Sequence, residues 1–243
     1  RLHPGETSNA GAYVAAATAM IRDVHARGAI PIVVGGTGLY LRALAEGLCE
    51  TPPRRPGLRQ ELEEEGRVAG SESLHQRLAV LDPVLARKIP PANVVRVVRA
   101  LEVCLTAGEP FSEIQKRTVP PTFPVIRTGI GWDRGELANR LNHRVKRMLD
   151  AGWAEEVQGL LNGGVPDTCP AFEAVGYGTV AAMISGRISR ADAVWTIQKD
   201  TRQYAKRQIT WFSRQRGFNW FTDNPDEQVE QLLTSYLNMR KAN

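Results

Sequence analysis

IPIVVGGTGLYLRAL, residues 30–44, is the stretch that sets the architecture of this chain. A β-branched run, Ile32-Val33-Val34, passes into Gly35-Gly36-Thr37-Gly38 and then at once into helical spacing. Ahead of it, residues 12–27 carry Val14, Ala17, Ile21 and Val24 at helical spacing, with Asn9 as an N-cap and Gly28 as a stop. Pro31 stands near the start of the run, where a missing N–H is tolerated. The pattern predicts a strand over 30–34 and a helix over 39–48. Helix, strand, glycine turn and helix is the order of a parallel α/β sheet.

In such sheets ligands bind at the carboxyl ends of strands. Glycines let main-chain N–H groups approach an anion, and a helix N-terminus favours negative charge. Thr37 adds a hydroxyl that can donate to a phosphate or accept from an amine. The same four residues also read as a tight turn whose threonine caps the helix. No G-x-x-x-x-G-K-[ST] occurs in the chain, so this is not a Walker A loop.

The chain has 243 residues, 42% hydrophobic and 23% charged, an ordinary globular balance. No apolar run approaches the roughly 20 residues that span a bilayer, and no signal peptide opens the chain. A soluble, cytoplasmic protein is the expectation. Cys49, Cys104 and Cys169 are scattered, with no C-x-x-C, so neither a disulfide framework nor structural zinc is expected. Net charge is +5, concentrated in RVVR (96–99), HRVKR (143–147) and KRQITWFSRQR (206–216). Basic clusters interleaved with aromatics suit a polyanionic partner.

TPPRRPG (51–57) and VPPTFP (119–124) are proline-rich boundaries, and the sequence between them is helical throughout. Helices are predicted around 59–65, 73–81, 83–88 and 92–107, the last with Val94, Val98, Leu101 and Leu105 on one stripe. Ser112-x-x-Gln115 has the form of a capping box. Residues 1–52 thus read as the first part of an α/β core, 53–124 as an all-helical insertion, and 125–243 as the rest of the core with C-terminal helices. Beyond the insertion, 125–132 reads as a returning strand and 137–161 as helix broken near Gly152. Residues 191–213 form the longest helix, and 218–221 a last strand before a helix capped by Asp223 and ending near Leu237. Three strands fall short of the usual five or so of a doubly wound sheet. With Arg1 in place of an initiator methionine, the other strands are expected upstream.

In DTRQYAKRQITWFSR (200–214), Lys199, Arg202 and Lys206 fall at i, i+3 and i+7, on one helical face. Asp200 is the only acid between Lys199 and Arg216, so a diphosphate or nucleic-acid phosphate is the natural counter-charge. A solvated basic face is the plainer reading. Trp211 and Phe212 read as core. Arg96 and Arg99 lie off the Val/Leu stripe and, with Arg54, Arg55 and Arg59, can reach a phosphate backbone. AVGYG (174–178) reads either as a close backbone approach to a ligand or as an ordinary loop.

Five segments, IPIVVGGTGLYLRALAEGL (30–48), RVVRALEV (96–103), AGEPFSEIQK (107–116), AVGY (174–177) and TRQYAKRQITWF (201–212), resemble the tRNA dimethylallyltransferases, in that family's order. The resemblance implies a P-loop NTPase-like parallel sheet core, its N-terminal strands missing from this chain, with the helical insertion gripping the anticodon stem-loop of a tRNA. It implies direct transfer from dimethylallyl diphosphate, with Mg2+, to N6 of the adenosine on the 3′ side of the anticodon. Thr37 and Arg202 would be catalytic, and an upstream Asp the general base. Gly35, Gly36, Gly38 and Lys206 would hold the diphosphate. Arg59, Arg96, Arg99, Lys206, Arg207, Gln208, Trp211 and Arg214 would meet the tRNA. No residue of this chain is assigned to the metal, and no obligate protein partner is implied. The family's P-loop and catalytic Asp are absent, so the chain alone is expected to be inactive. Gly178 and Thr179 stand where a basic residue and Gln or Glu are usual, so no tRNA contact is assigned there. Two rivals are an adenine-nucleotide prenyltransferase, against which the arginine-bearing insertion argues, and a non-catalytic RNA-binding relative. A P-loop kinase is a weaker third.

Overall fold

A computed structural model describes residues 2–222 and 225–242. The order is α1 (Ala10–Ala26), α2 (Gly38–Glu46), α3 (Pro56–Ala69), α4 (Ser71–Leu81), α5 (Pro83–Ala86), α6 (Val94–Ala107), α7 (Phe111–Lys116), β1 (Arg127–Ile130), α8 (Arg134–Asp150), α9 (Trp153–Asn162), a 3-10 turn (Pro170–Glu173), α10 (Tyr177–Ile184), α11 (Arg190–Phe212), β2 (Phe218–Phe221) and α12 (Pro225–Ala242). The expected cap at Asp223 lies outside the described residues. Among the described residues, no helix is long and apolar enough to cross a membrane.

The chain divides into two compact units. One comprises the residues up to Tyr13, Ile30–Leu39 and those from Val125 on; the other comprises Val14–Ala29 and Tyr40–Pro124. In the second unit α3, α4, α5 and α6 close around Leu62, Leu74, Leu78, Val97, Val98 and Leu101, each at most 1% exposed. Burial of one such side chain contributes about 1.5–3 kcal/mol against leaving it in water. α6 begins because the Asn93 side chain accepts from the Arg96 N–H, and ends at Gly108, which takes the left-handed conformation at φ 71°.

Ser112 corrects the capping-box expectation. It lies inside α7, whose N-cap is Pro110 without a side-chain cap bond. Its N–H and hydroxyl both donate to the Asp82 carboxylate, at 2.6 and 2.8 Å, and that carboxylate also accepts from the Leu85 N–H. Asp82 is fully buried. A buried acceptor satisfied three times outcompetes the reciprocal side-chain bond of a capping box.

In the first unit α8, α9, α10 and α11 enclose Val145, Leu149, Trp153, Val157, Phe172, Val180 and Ile197. α8 starts where the Asp133 carboxylate accepts from the Gly135 and Glu136 N–H groups, which hold its pKa below the usual aspartate value. Within AVGYG, Gly176 makes a close backbone approach to the protein's own core. Gly176 has φ 98°, and a Cβ there would stand 2.7 Å from Trp153 Cζ2 and 3.3 Å from Ile197 Cγ2. Gly176→Ala therefore combines left-handed strain with a clash against a rigid ring. It is expected to cost about 3 kcal/mol, read as a lowered urea midpoint with unchanged slope.

β1 and β2 pair in parallel, Arg127 opposite Phe218 and Ile130 opposite Phe221. The connection between them runs through α8–α11, the long crossover that parallel pairing requires. Gly129 faces Trp220, whose ring occupies the place a Cβ would take. The strand expected over 30–34 does not form. These residues hydrogen-bond to no strand among the described residues, and Ile32 and Val34 are 71% and 89% exposed. β propensity expresses packing against neighbours, and a β-branched run without a paired neighbour has no ladder to join.

Candidate active site

Gly35-Gly36-Thr37-Gly38 lies at the start of α2, and in the first unit it is docked on the C-terminal half of α11. Gln208 Nε2 donates to the Gly36 carbonyl at 3.1 Å. A Cβ at Gly36 would stand 2.9 Å from Gln208 Cδ, and one at Gly38 would stand 2.7 Å from Trp211 Cε2. Neither glycine has a positive φ. What comes so close to the main chain is α11 itself: the glycines are there for lack of a Cβ, not for a special backbone angle. Gly35 differs, because nothing lies within 4 Å of its Cβ position.

Thr37 precedes the first residue of α2 and is exposed. Its hydroxyl makes no hydrogen bond among the described residues, so the capping reading is not realised. Lys206, two residues before Gln208, is exposed and has no ion pair among the described residues. Arg202 is half-buried and donates through Nη1 to the Asn142 side chain of α8 at 2.5 Å; Gln198 donates to the Asn142 carbonyl. An arginine has five N–H donors, so a neutral amide orients this one without consuming its charge. Arg207 is exposed beside the Tyr204 ring, 5.5 Å from its centre, and Arg214 is exposed. Trp211 and Phe212 are half-buried, edge to face at 4.8 Å, with Phe218 next at 5.7 Å. The structure thus brings the glycine turn to Gln208 and Trp211, with Lys206 close along the helix, and ties Arg202 to α8.

The second unit carries a separate cationic cleft of about 300 Å³, lined by Arg54, Arg59, Arg96 and Arg99 over Leu85 and Phe111. Arg59 is paired with Glu63 at 2.8 Å. Arg96 is exposed. Arg99 donates to Glu102 at 2.8 Å and to the Thr51 hydroxyl at 3.1 Å. Glu102 also accepts from the Arg55 N–H at 2.9 Å and is 1% exposed. Burial pushes its pKa up, but the Arg99 and Arg55 hydrogen bonds and the charges of Arg99 and Arg59 outweigh that and hold it below the usual glutamate value. Glu102 and Asn142 are the two residues that sequence reasoning missed. Glu102 stands four residues after Val98, an acid on the apolar stripe, and that misplacement was the available signal. Asn142 carried none.

Among the described residues, no three His, Cys, Asp or Glu side chains converge.

The fold is that of the tRNA isopentenylpyrophosphate transferases: the full-length enzyme from Bacillus halodurans superposes with a TM-score of 0.66 at 28% identity, over 99% of this chain and 78% of its own. Residues 1–215 match the IPP transferase family, and the chain belongs to it. A tRNA dimethylallyltransferase from Thermomicrobium roseum is 45% identical over 87% of this chain, which spans 64% of that relative's length. In fold alone, a eukaryotic dimethylallyltransferase acting on tRNA matches with a TM-score of 0.82 at 22% identity, over 98% of this chain and 64% of its own.

Proposed function

We propose that this protein transfers the dimethylallyl group of dimethylallyl diphosphate to N6 of the adenosine adjacent to the anticodon, on its 3′ side, in tRNA. The observation that carries this reading is the docking of the glycine turn on the C-terminal half of α11, near Lys206 and Arg207, neither of which has a carboxylate partner among the described residues; the Thr37 hydroxyl in that turn is likewise unpartnered among them. In the step, the N6 nitrogen forms a bond to the allylic carbon as the carbon–oxygen bond to diphosphate breaks, and one N6 proton passes to a general base, a role assigned to no residue of this chain. The departing diphosphate gains charge, which Arg202 and Lys206 are suited to stabilise. Gly35, Gly36 and Gly38 border the donor, and Thr37 orients the amine. Lys206, Arg207, Gln208, Trp211 and Arg214 on one unit, and Arg59, Arg96 and Arg99 on the other, take the tRNA. The P-loop NTPase-like core, its remaining strands, the nucleotide-binding character of that core and a cytoplasmic location belong to the same proposal. Mg2+ enters it as the companion of the diphosphate, with no step assigned to it.

The test offers radiolabelled dimethylallyl diphosphate and Mg2+ to the full-length gene product, with unmodified tRNA and AMP in parallel. Label is expected in tRNA, and Thr37→Ala or Arg202→Ala is expected to lower kcat about a hundredfold. Label in AMP would make the protein an adenine-nucleotide prenyltransferase. No label, with tRNA still bound, would leave a non-catalytic RNA-binding relative.

A further inference from the structure

α11 presents one large aromatic side chain that packing does not explain. Trp195 is 61% exposed, while Ala193 and Ile197 on either side of it are fully buried. A Trp carries much apolar area, and one left in water at the surface of a packed helix is unusual.

Its neighbours along the helix supply a context. Positions 195, 199, 202 and 206 recur at i, i+4, i+7 and i+11, so Trp195 heads the face that carries Lys199, Arg202 and Lys206. At 1.5 Å per residue this face extends about 16 Å. The Lys199 ammonium lies 5.1 Å from the centre of the Trp195 ring. Elsewhere the molecule relieves helical cations with a glutamate one turn away, as in Arg59–Glu63, Lys116–Glu113 and Arg140–Glu136. None of the three cations of this face has a carboxylate partner among the described residues, and the side chain that Arg202 meets is a neutral amide.

We propose that Trp195 is a stacking platform for an unpaired base of the bound RNA, whose adjoining phosphate meets Lys199 at the head of the face that leads to the diphosphate-binding Arg202 and Lys206. The inference rests on the RNA-modifying reading above and adds to it a residue and a contact. An indole face accepts any base, and stacking combined with a line of cations is how single-stranded nucleic acid is held without base-edge readout. Lys199 serves both partners: it lies against the ring and meets the phosphate next to the stacked base.

The test measures binding of an anticodon stem–loop RNA to the full chain over a range of salt concentrations. Trp195→Ala is expected to weaken binding about tenfold at every salt concentration without changing the slope of log K against log salt. Trp195→Phe is expected to retain most of the affinity. Lys199→Gln is expected to reduce the slope by about 0.7, the signature of one lost phosphate contact on a single strand. Abasic nucleotides placed in turn through the loop are expected to reveal one position at which Trp195→Ala costs nothing further. Should Trp195→Ala fail to fold, Trp195→Phe and the abasic series on the unaltered chain decide the matter alone. Parental affinity in Trp195→Ala, with RNA bound normally by the parent, would overturn the platform and leave the proposed function standing. An unaltered chain that binds no stem–loop at all would overturn both.

Discussion

Gly38→Ala is expected to lower the proposed transfer reaction about a hundredfold while leaving the helical units folded. A Cβ at Gly38 would overlap the indole of Trp211, with Cε2 at 2.7 Å. That ring has little room to yield. It packs edge to face on Phe212, which packs on Phe218, which stacks on Trp220 at 5.8 Å. Overpacking of this kind costs about 1–3 kcal/mol, and the cheapest relief is to push the glycine turn off α11. A shift of about 1 Å in a group that positions substrate costs on the order of a hundredfold in rate. The measurement is initial transfer rate beside a urea titration. Gly35→Ala is the informative partner. With nothing near its Cβ position, it should leave stability within about 0.5 kcal/mol of the parent, so any loss of rate there reports a bound ligand. A Gly38→Ala enzyme working at the parental rate would show that the turn need not sit on Trp211.

Glu102→Gln is expected to destabilise the helical unit by about 2–3 kcal/mol and to weaken tRNA binding with it. Removing one member of a buried ion pair costs about 3–5 kcal/mol. The cost here is lower because Arg99 keeps 27% of its side chain exposed and can turn towards water. Glutamine still accepts from the Arg55 N–H, but it no longer neutralises Arg99 and Arg59. The cationic cleft then loses the negative charge that anchors Arg99. The same residue makes a pH prediction. Its folded pKa is lowered, so its contribution is complete above the unfolded value of about 4.3 and is lost as pH falls below that value. Urea titrations from pH 7 to pH 3 should show the parent and Glu102→Gln converging at the acid end. Curves that stay parallel would remove Glu102 from this role.

Most helices were legible because their signals are local. Asn9, with its side chain accepting from the Ala12 N–H at 2.9 Å, and Gly28 at φ 73° bracket α1 as expected. The break at Gly152 separates α8 from α9, and β2 falls on FNWF. The strand read over 30–34 does not form, since a ladder depends on a partner that no local window contains. The Asp82–Ser112 contact joins residues 30 apart, and its sequence imitated a capping box.

The site divides in the same way. The cations of α11 and the glycine cluster could be read from residue order and spacing, and the family from the resemblance of five segments, because charge and the lack of a side chain belong to residues one at a time. Which atoms meet could not. That Gly36 and Gly38 admit Gln208 and Trp211, 172 and 173 positions away, was decided by tertiary packing, as was the pairing of Glu102 with the chain entering α3. The physical reason is range: a missing Cβ announces that something approaches, and only the folded chain determines what does.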